Sequence, residues 1–226
     1  MSGPRLSVVR ESGSREEVDL RGFACFAAGY TGRDREAIDR HIEELEEHGV
    51  PPPRRVPCCY PLLPHLLAVN PAAVDVYGSG TSGEIEPVLL VLDGRPLYVA
   101  VGSDHTDRDL EKQSVPVAKQ LCWKVVSGEA WPFDEVARQW DHLELQSQSD
   151  GELYQSANLT AMLPVEELVA TVPQERRTDR MVIFCGTVPL VAGLKFGAHF
   201  SGSLRDPARG RSLEIGYDVR VLNPID

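Results

Sequence analysis

Residues 84–103 constrain the fold more than any other stretch. EIEPVLLVL, the pair Asp93-Gly94 and RPLYVAVGS form two apolar, β-prone runs around a two-residue turn. Asp-Gly in that setting is a strong short-range hairpin signal, because both turn positions favour positive φ. The apolar content predicts a core element, yet both open ends of the hairpin are acidic: Glu84 and Glu86 at its entry, Asp104 just past its exit. Alternate strand residues share a face, so Glu84 and Glu86 project together with about 6.6 Å of rise between them. Pairing of the two strands brings Asp104 close to both. Carboxylates gathered in a pocket need a cation or protons to offset their repulsion, and an all-oxygen set suits a hard ion such as Mg²⁺. A solvated strand face is the competing reading. Against it stands Gly-rich YGSGTSG ahead of Glu84, a backbone built for close approach.

Elsewhere the chain reads mainly as strands. Residues 18–28 alternate partially and end at Gly29, predicting a half-buried strand. Asp34–His48 carries Ile38, Ile42 and Leu45 at helical spacing and is stopped by Gly49 and the triple proline Pro51-Pro52-Pro53. The proline-rich segment 57–71 reads as a long loop. Short proline-opened helices are expected at 132–143 and 164–171, strands at 180–188 and 196–204, and a closing hairpin from Phe200–Leu204 and Leu213–Leu222 around DPARGR. Strands in adjacent runs with few helices predict an α+β, mainly β architecture in one domain spanning 1–226. Within it, residues 1–70 supply a strand, a helix and the proline-rich loop, and residues 71–226 the acid-bearing β core.

Charge narrows the partners. The 23 Lys and Arg face 34 Asp and Glu, a net charge of −11, and such a field repels the phosphate backbone, so no nucleic-acid partner is expected. No window resembles a membrane span or a signal peptide, which reads as a cytoplasmic protein with no membrane partner. Cys25, Cys58, Cys59, Cys122 and Cys185 show no CxxC spacing; buried thiols are expected, without disulfides or a thiolate zinc site. His105, His142 and His199 read as structural or exposed, and Trp123, Trp131 and Trp140 as core or helix-packing residues.

Four short motifs in fixed order carry a family resemblance. Gly102-Ser103-Asp104-His105-Thr106-Asp107-Arg108-Asp109-Leu110 is similar to the Asn-Asp-x-Ser/Thr-Ala-Arg-Asp-aliphatic signature of the fumarylacetoacetate hydrolase superfamily, and Glu84-Ile85-Glu86 to its preceding E-x-E strand. Phe184-Cys185-Gly186-Thr187-Val188-Pro189 resembles the family's Gly-Thr-Pro element. His41-Ile42-Glu43-Glu44, which follows Ala28-Gly29-Tyr30, resembles the H-x-x-E pair of its small, lid-bearing members. The match runs from about residue 28 to 200. Ser103 stands where asparagine is usual, Asp107 replaces alanine, and Glu111 stands where some members carry glutamine.

The resemblance implies a mixed β-sheet, β-roll core with an N-terminal lid helix, and a divalent metal, Mg²⁺ or else Mn²⁺ or Ca²⁺, on Glu84, Glu86 and Asp104. It implies Lys119 facing substrate oxygen, with Lys124 as competitor. Gly186 and Thr187 would bind substrate, and Arg108 would contact substrate or a metal ligand. His41 and Glu44, three apart on one helix face, form a dyad suited to activating water; a surface pair is the plainer reading. The implied reaction is hydrolysis of a C–C bond in a 2-oxo acid or 1,3-dicarbonyl, acylpyruvate-like small molecule through a metal-stabilised enolate. The alternatives are a lyase or isomerase on the same site, or a non-catalytic binding protein that keeps the fold. Relatives imply a homodimer.

Overall fold

The computed structural model describes residues 3–224 apart from His48. Strands β1 (Arg5–Val9), β2 (Arg15–Asp19) and β3 (Ala24–Gly29) precede helix α1 (Arg35–Glu47). Next come β4 (Cys58–Leu62), β5 (Leu67–Val69), β6 (Ala73–Tyr77), β7 (Thr81–Ser82), β8 (Ile85–Leu92), β9 (Arg95–Asp104) and β10 (Thr106–Asp107). Helices α2 (Arg108–Glu111) and α3 (Val115–Leu121) lead to β11 (Lys124–Val126), β12 (Glu129–Pro132), α4 (Phe133–Val136), β13 (Glu144–Ser149) and β14 (Glu152–Asn158). Helix α5 (Val165–Ala170), β15 (Arg180–Phe184), β16 (His199–Asp206) and β17 (Arg211–Leu222) complete the chain. The architecture is mainly β with short helices, as the strand-rich pattern implies.

A ten-stranded mixed sheet runs β2-β1-β12-β9-β8-β15-β3-β4, with β11 bridging β9 to β5. A second sheet, β14-β13-β16-β17-β6, packs over it, and β10 pairs with β7 in a small ribbon. The hairpin β8–β9 lies near the middle of the large sheet, turning at Asp93 and Gly94, both with positive φ (49° and 75°). Its β8 strand is buried from Ile85 to Val91. Ile85, Leu89 and Val91 face the core shared with Phe200, Leu204 and Tyr217 of the second sheet. Val88 and Leu90 face a second core with Leu6, Val8 and Phe184. Burial on both faces explains the unbroken apolar run, since each such side chain contributes about 1.5–3 kcal/mol when removed from water.

Three expectations change. The strand read over 18–28 is two strands, because Leu20–Phe23 turns back through Gly22 at φ 78°. The proline-rich segment 57–71 contains β4 and β5; β4 is the last strand of the sheet, where Pro61, which lacks an N–H, is tolerated. Trp131 and Trp140 are buried, but Trp123 is exposed. Helix α1 forms where its periodicity places it, with Ile38, Ile42 and Leu45 only half-buried and no residue fully so. All five cysteines are free, four of them buried. No described helix is long and apolar enough to cross a membrane.

Candidate metal and substrate site

The acids meet because of register. Ile85 pairs with Ser103 and Glu86 with Gly102, and the Asp104 N–H donates to the Glu84 carbonyl at 3.0 Å. Glu84 and Asp104 are therefore opposite one another, and Glu86 lies two residues along on the face of Glu84. Carboxylate oxygens of the three lie within 4.8 Å of one another. Glu86 and Asp104 are buried and Glu84 is partly so. Gly102 is required opposite Glu86, since a Cβ there would come within 2.6 Å of the Val125 carbonyl oxygen.

Buried cations hold the acids. The Lys119 ammonium, on α3, donates to Asp104 Oδ2 at 2.6 Å and to Glu84 Oε2 at 3.4 Å. Lys124, at the start of β11, lies 2.5 Å from Asp104 Oδ1 and donates to the His105 carbonyl at 2.6 Å. Lys119 thus touches two of the three acids, whereas Lys124 is fastened beneath Asp104. Arg108 is left between substrate and metal ligand by sequence alone. Here it donates from Nε to Ser82 Oγ (2.7 Å) and from Nη1 to Glu111 (2.9 Å), and pairs through Nη2 with Glu84 Oε1 (3.3 Å). Arg108 orients an acid and is not an ion pair at the surface.

Protonation follows from these contacts. Burial raises the Asp104 pKa, but Lys119 and Lys124 overcome it and hold the carboxyl well below the usual range. Glu84 is likewise lowered, as Arg108 and Lys119 outweigh its burial. Glu86 goes the other way: burial and the Asp104 charge push its pKa well above the ordinary value, with only partial relief from Lys119. Lys119 resists its own burial because Asp104, Glu84 and Glu86 surround it, and its pKa is raised. The cluster therefore lacks positive charge at Glu86, and a hard divalent ion on three carboxylate oxygens would supply it. The donor set fits such an ion.

The Gly-Thr element closes the site from below. The Gly186 N–H donates to Glu86 Oε2 at 2.8 Å. Gly186 has φ 89°, and a Cβ there would fall 2.1 Å from Thr31 Oγ1. The Thr187 hydroxyl donates to the Ile85 carbonyl at 2.7 Å and accepts from Gln155 Nε2 at 2.6 Å. Both residues named for substrate thus brace the start of β8. Gln155, which sequence reasoning missed, is fully buried: Oε1 accepts from the Ile85 N–H and Ser147, and Nε2 donates to Thr187 and the Val188 carbonyl. His105 is structural, with Nδ1 on the Tyr217 hydroxyl and Nε2 on Thr81; burial, Lys124 and Arg108 lower its pKa to about 3.

Tyr30, Tyr60 and Cys58 also lie close enough to Lys119 to feel its charge. Tyr30 sits at φ 56°, a strained value for a non-glycine residue. Burial, with the charges of Cys58 and Glu111 nearby, pushes its hydroxyl up to about 12. His41 and Glu44 stand apart from this buried group, exposed on α1 with 3.8 Å between Nδ1 and Oε2.

Residues 28–217 match the family described as "Protein of unknown function (DUF2848)". No curated protein matches. Among solved structures, a fumarylpyruvate hydrolase from Pseudomonas aeruginosa in complex with Mn²⁺ and pyruvate is 18% identical over 99% of this chain and 97% of its own, with TM-score 0.65. A 5-carboxymethyl-2-hydroxymuconate delta-isomerase from Mycobacterium smegmatis is 16% identical over 90% and 81%, TM-score 0.65. The apo form of a 2-keto-3-deoxy-D-arabinonate dehydratase is 17% identical over 87% and 73%, TM-score 0.63. The fold is that of the fumarylacetoacetate hydrolase superfamily, in a divergent form.

Proposed function

The chain belongs to the DUF2848 family, and from that premise and the acid site we propose that it is a divalent-metal-dependent hydrolase cleaving a C–C bond in a 2-oxo acid or 1,3-dicarbonyl, acylpyruvate-like substrate. One observation carries the reading: Glu84, Glu86 and Asp104 converge within 4.8 Å, beside a buried lysine. The Mn²⁺ and pyruvate of the Pseudomonas aeruginosa hydrolase support extending it to a metal and an oxo acid. Glu84, Glu86 and Asp104 would hold Mg²⁺, Mn²⁺ or Ca²⁺. When bound, such an ion supplies Lewis-acid stabilisation of charge developing on substrate oxygens.

The chain's own groups do the rest. Lys119, kept protonated by the acids around it, offsets negative charge on the substrate's oxo and carboxylate oxygens. Arg108 and Lys124 fix Glu84 and Asp104, so the acids need not reorganise as substrate enters. The Tyr30 hydroxyl, neutral at ordinary pH, is available as a donor beside Lys119. We assign the water-activating base to His41, oriented by Glu44; its exposure on α1 means that the helix must carry it to the acid site.

The test is a panel of acylpyruvates with Mg²⁺ or Mn²⁺, following loss of the β-dicarbonyl and release of acid. Cleavage that disappears with chelator and in Glu86→Ala is expected. No cleavage of any β-dicarbonyl, together with equal metal binding by wild type and Glu86→Ala in calorimetry, overturns the proposal.

A further inference from the structure

Asp104 is flanked in the chain by two buried polar residues, Ser103 and His105, and both side chains end on the same atom. The Tyr217 hydroxyl, reaching across from β17 of the second sheet, lies 2.8 Å from Ser103 Oγ and 3.0 Å from His105 Nδ1. Successive side chains of an extended chain point to opposite sides. Two flanking side chains drawn to one hydroxyl therefore turn the residue between them the other way, where Asp104 meets Lys119 and the other acids.

The line of hydrogen bonds continues past His105. Its Nε2 lies 2.9 Å from Thr81 Oγ1, and Thr81 belongs to the β7–β10 ribbon, where it pairs with Asp107 while Ser82 pairs with Thr106. Ser82 accepts from Arg108 Nε, and Arg108 pairs with Glu84. Ser103, Tyr217, His105 and Thr81 are each 3% exposed or less. A neutral imidazole gives one hydrogen bond and accepts one, and each hydroxyl gives one, so the line is complete in either direction. At such burial a broken link leaves a polar group that water cannot reach.

The aromatic rings of the second sheet press on the same backbone. The Tyr217 ring centroid lies 5.5 Å from that of Phe200, and Phe200 packs so closely on Gly83 that a Cβ there would come within 2.7 Å of its ring. Gly83 immediately precedes Glu84. This aromatic pair thus meets the chain at two ligand positions, beside Glu84 and on both sides of Asp104.

We propose that Tyr217 is a positioning residue for the metal ligands. Its hydroxyl fixes Asp104 through Ser103 and His105 and, by way of His105 and Thr81, steadies the ribbon from which Arg108 holds Glu84. The second sheet is then part of the metal site, although it supplies no ligand. The inference rests on the metal-dependent reading above.

Tyr217→Phe keeps the ring and its packing on Phe200 and removes only the hydroxyl. Ser103→Ala is the milder variant, since it leaves His105 its partner. Val8→Ala, in the second core away from the acids, controls for lost stability alone. Mn²⁺ binding is measured by calorimetry, and the bound ion by electron paramagnetic resonance, at a temperature where all are folded. Tyr217→Phe weakens Mn²⁺ binding about tenfold, as for other partners that orient metal ligands from behind, and broadens the resonance of the bound ion. Ser103→Ala weakens it about threefold, Val8→Ala leaves affinity and spectrum unchanged, and Ser103→Ala/Tyr217→Phe binds no more weakly than Tyr217→Phe, because both changes act through one hydroxyl. Wild-type affinity and spectrum in Tyr217→Phe and Ser103→Ala, or equal weakening in Val8→Ala, overturns the positioning role and leaves the metal site standing. Failure of wild type to bind Mn²⁺ overturns both.

Discussion

Glu86→Gln should move stability and metal affinity in opposite directions. Its carboxylate lies within 4.8 Å of two like charges, and at an effective dielectric of about 20 each such pair interacts by roughly 3.5 kcal/mol. Lys119 offsets about one of the two, leaving a net repulsion of roughly one pair, which the folded protein reduces by protonating Glu86. Glutamine keeps the shape and the acceptor for the Gly186 N–H at 2.8 Å while removing the charge. Without metal at neutral pH, the variant should be more stable than wild type by about 1–3 kcal/mol, read from urea midpoints at unchanged slope. The sign with pH is fixed. Glu86 has a folded pKa raised above 4.5, so its contribution is most favourable below that value and is lost as pH rises through the folded pKa. The advantage of Glu86→Gln therefore shrinks on acidification and grows towards neutrality. Mn²⁺ affinity should fall about a hundredfold, a loss of roughly 2.7 kcal/mol. A metal-free variant less stable than wild type at neutral pH, or one with undiminished Mn²⁺ affinity, refutes the reasoning.

Lys119→Met should abolish turnover while strengthening Mn²⁺ binding several-fold, because it removes a cation from two metal-binding acids; the two effects are separated by calorimetry and a turnover assay. Gln155→Leu should destabilise by about 3–5 kcal/mol in urea titration, since four hydrogen-bonding groups, three of them buried, lose their partner. Gly186→Ala should destabilise by at least about 2 kcal/mol, from positive φ and the Cβ approach to Thr31, and weaken Mn²⁺ binding through Glu86. His41→Ala should leave Mn²⁺ affinity unchanged and reduce turnover by about a hundredfold or more; full activity would remove the dyad from the reaction.

What could be read from sequence depended on whether a residue's role is set locally. Asp93-Gly94 determines a turn by its own backbone preferences, and strand alternation then fixes which acids face each other. Hence the sequence alone groups Glu84, Glu86 and Asp104. Arg108 could be named but not aimed, because its target depends on the sharp turn from β10 into α2, where the Asp107 side chain caps the helix by accepting from the N–H groups of Asp109 and Leu110. Segment 57–71 was misread because proline signals a break, whereas an edge strand accommodates it. Gln155 left no trace: in sequence it is one polar residue of an alternating strand, and only the packing of one sheet on the other turns it inward. The same separation explains how the site is held. The acids repel one another, so besides the buried cations their placement relies on neutral partners distant in sequence, Gln155 and Thr187 on Ile85 and Gly186 on Glu86. A substitution among those braces should therefore disturb the acid cluster without removing any charged group, an effect that charge patterns in the sequence cannot reveal.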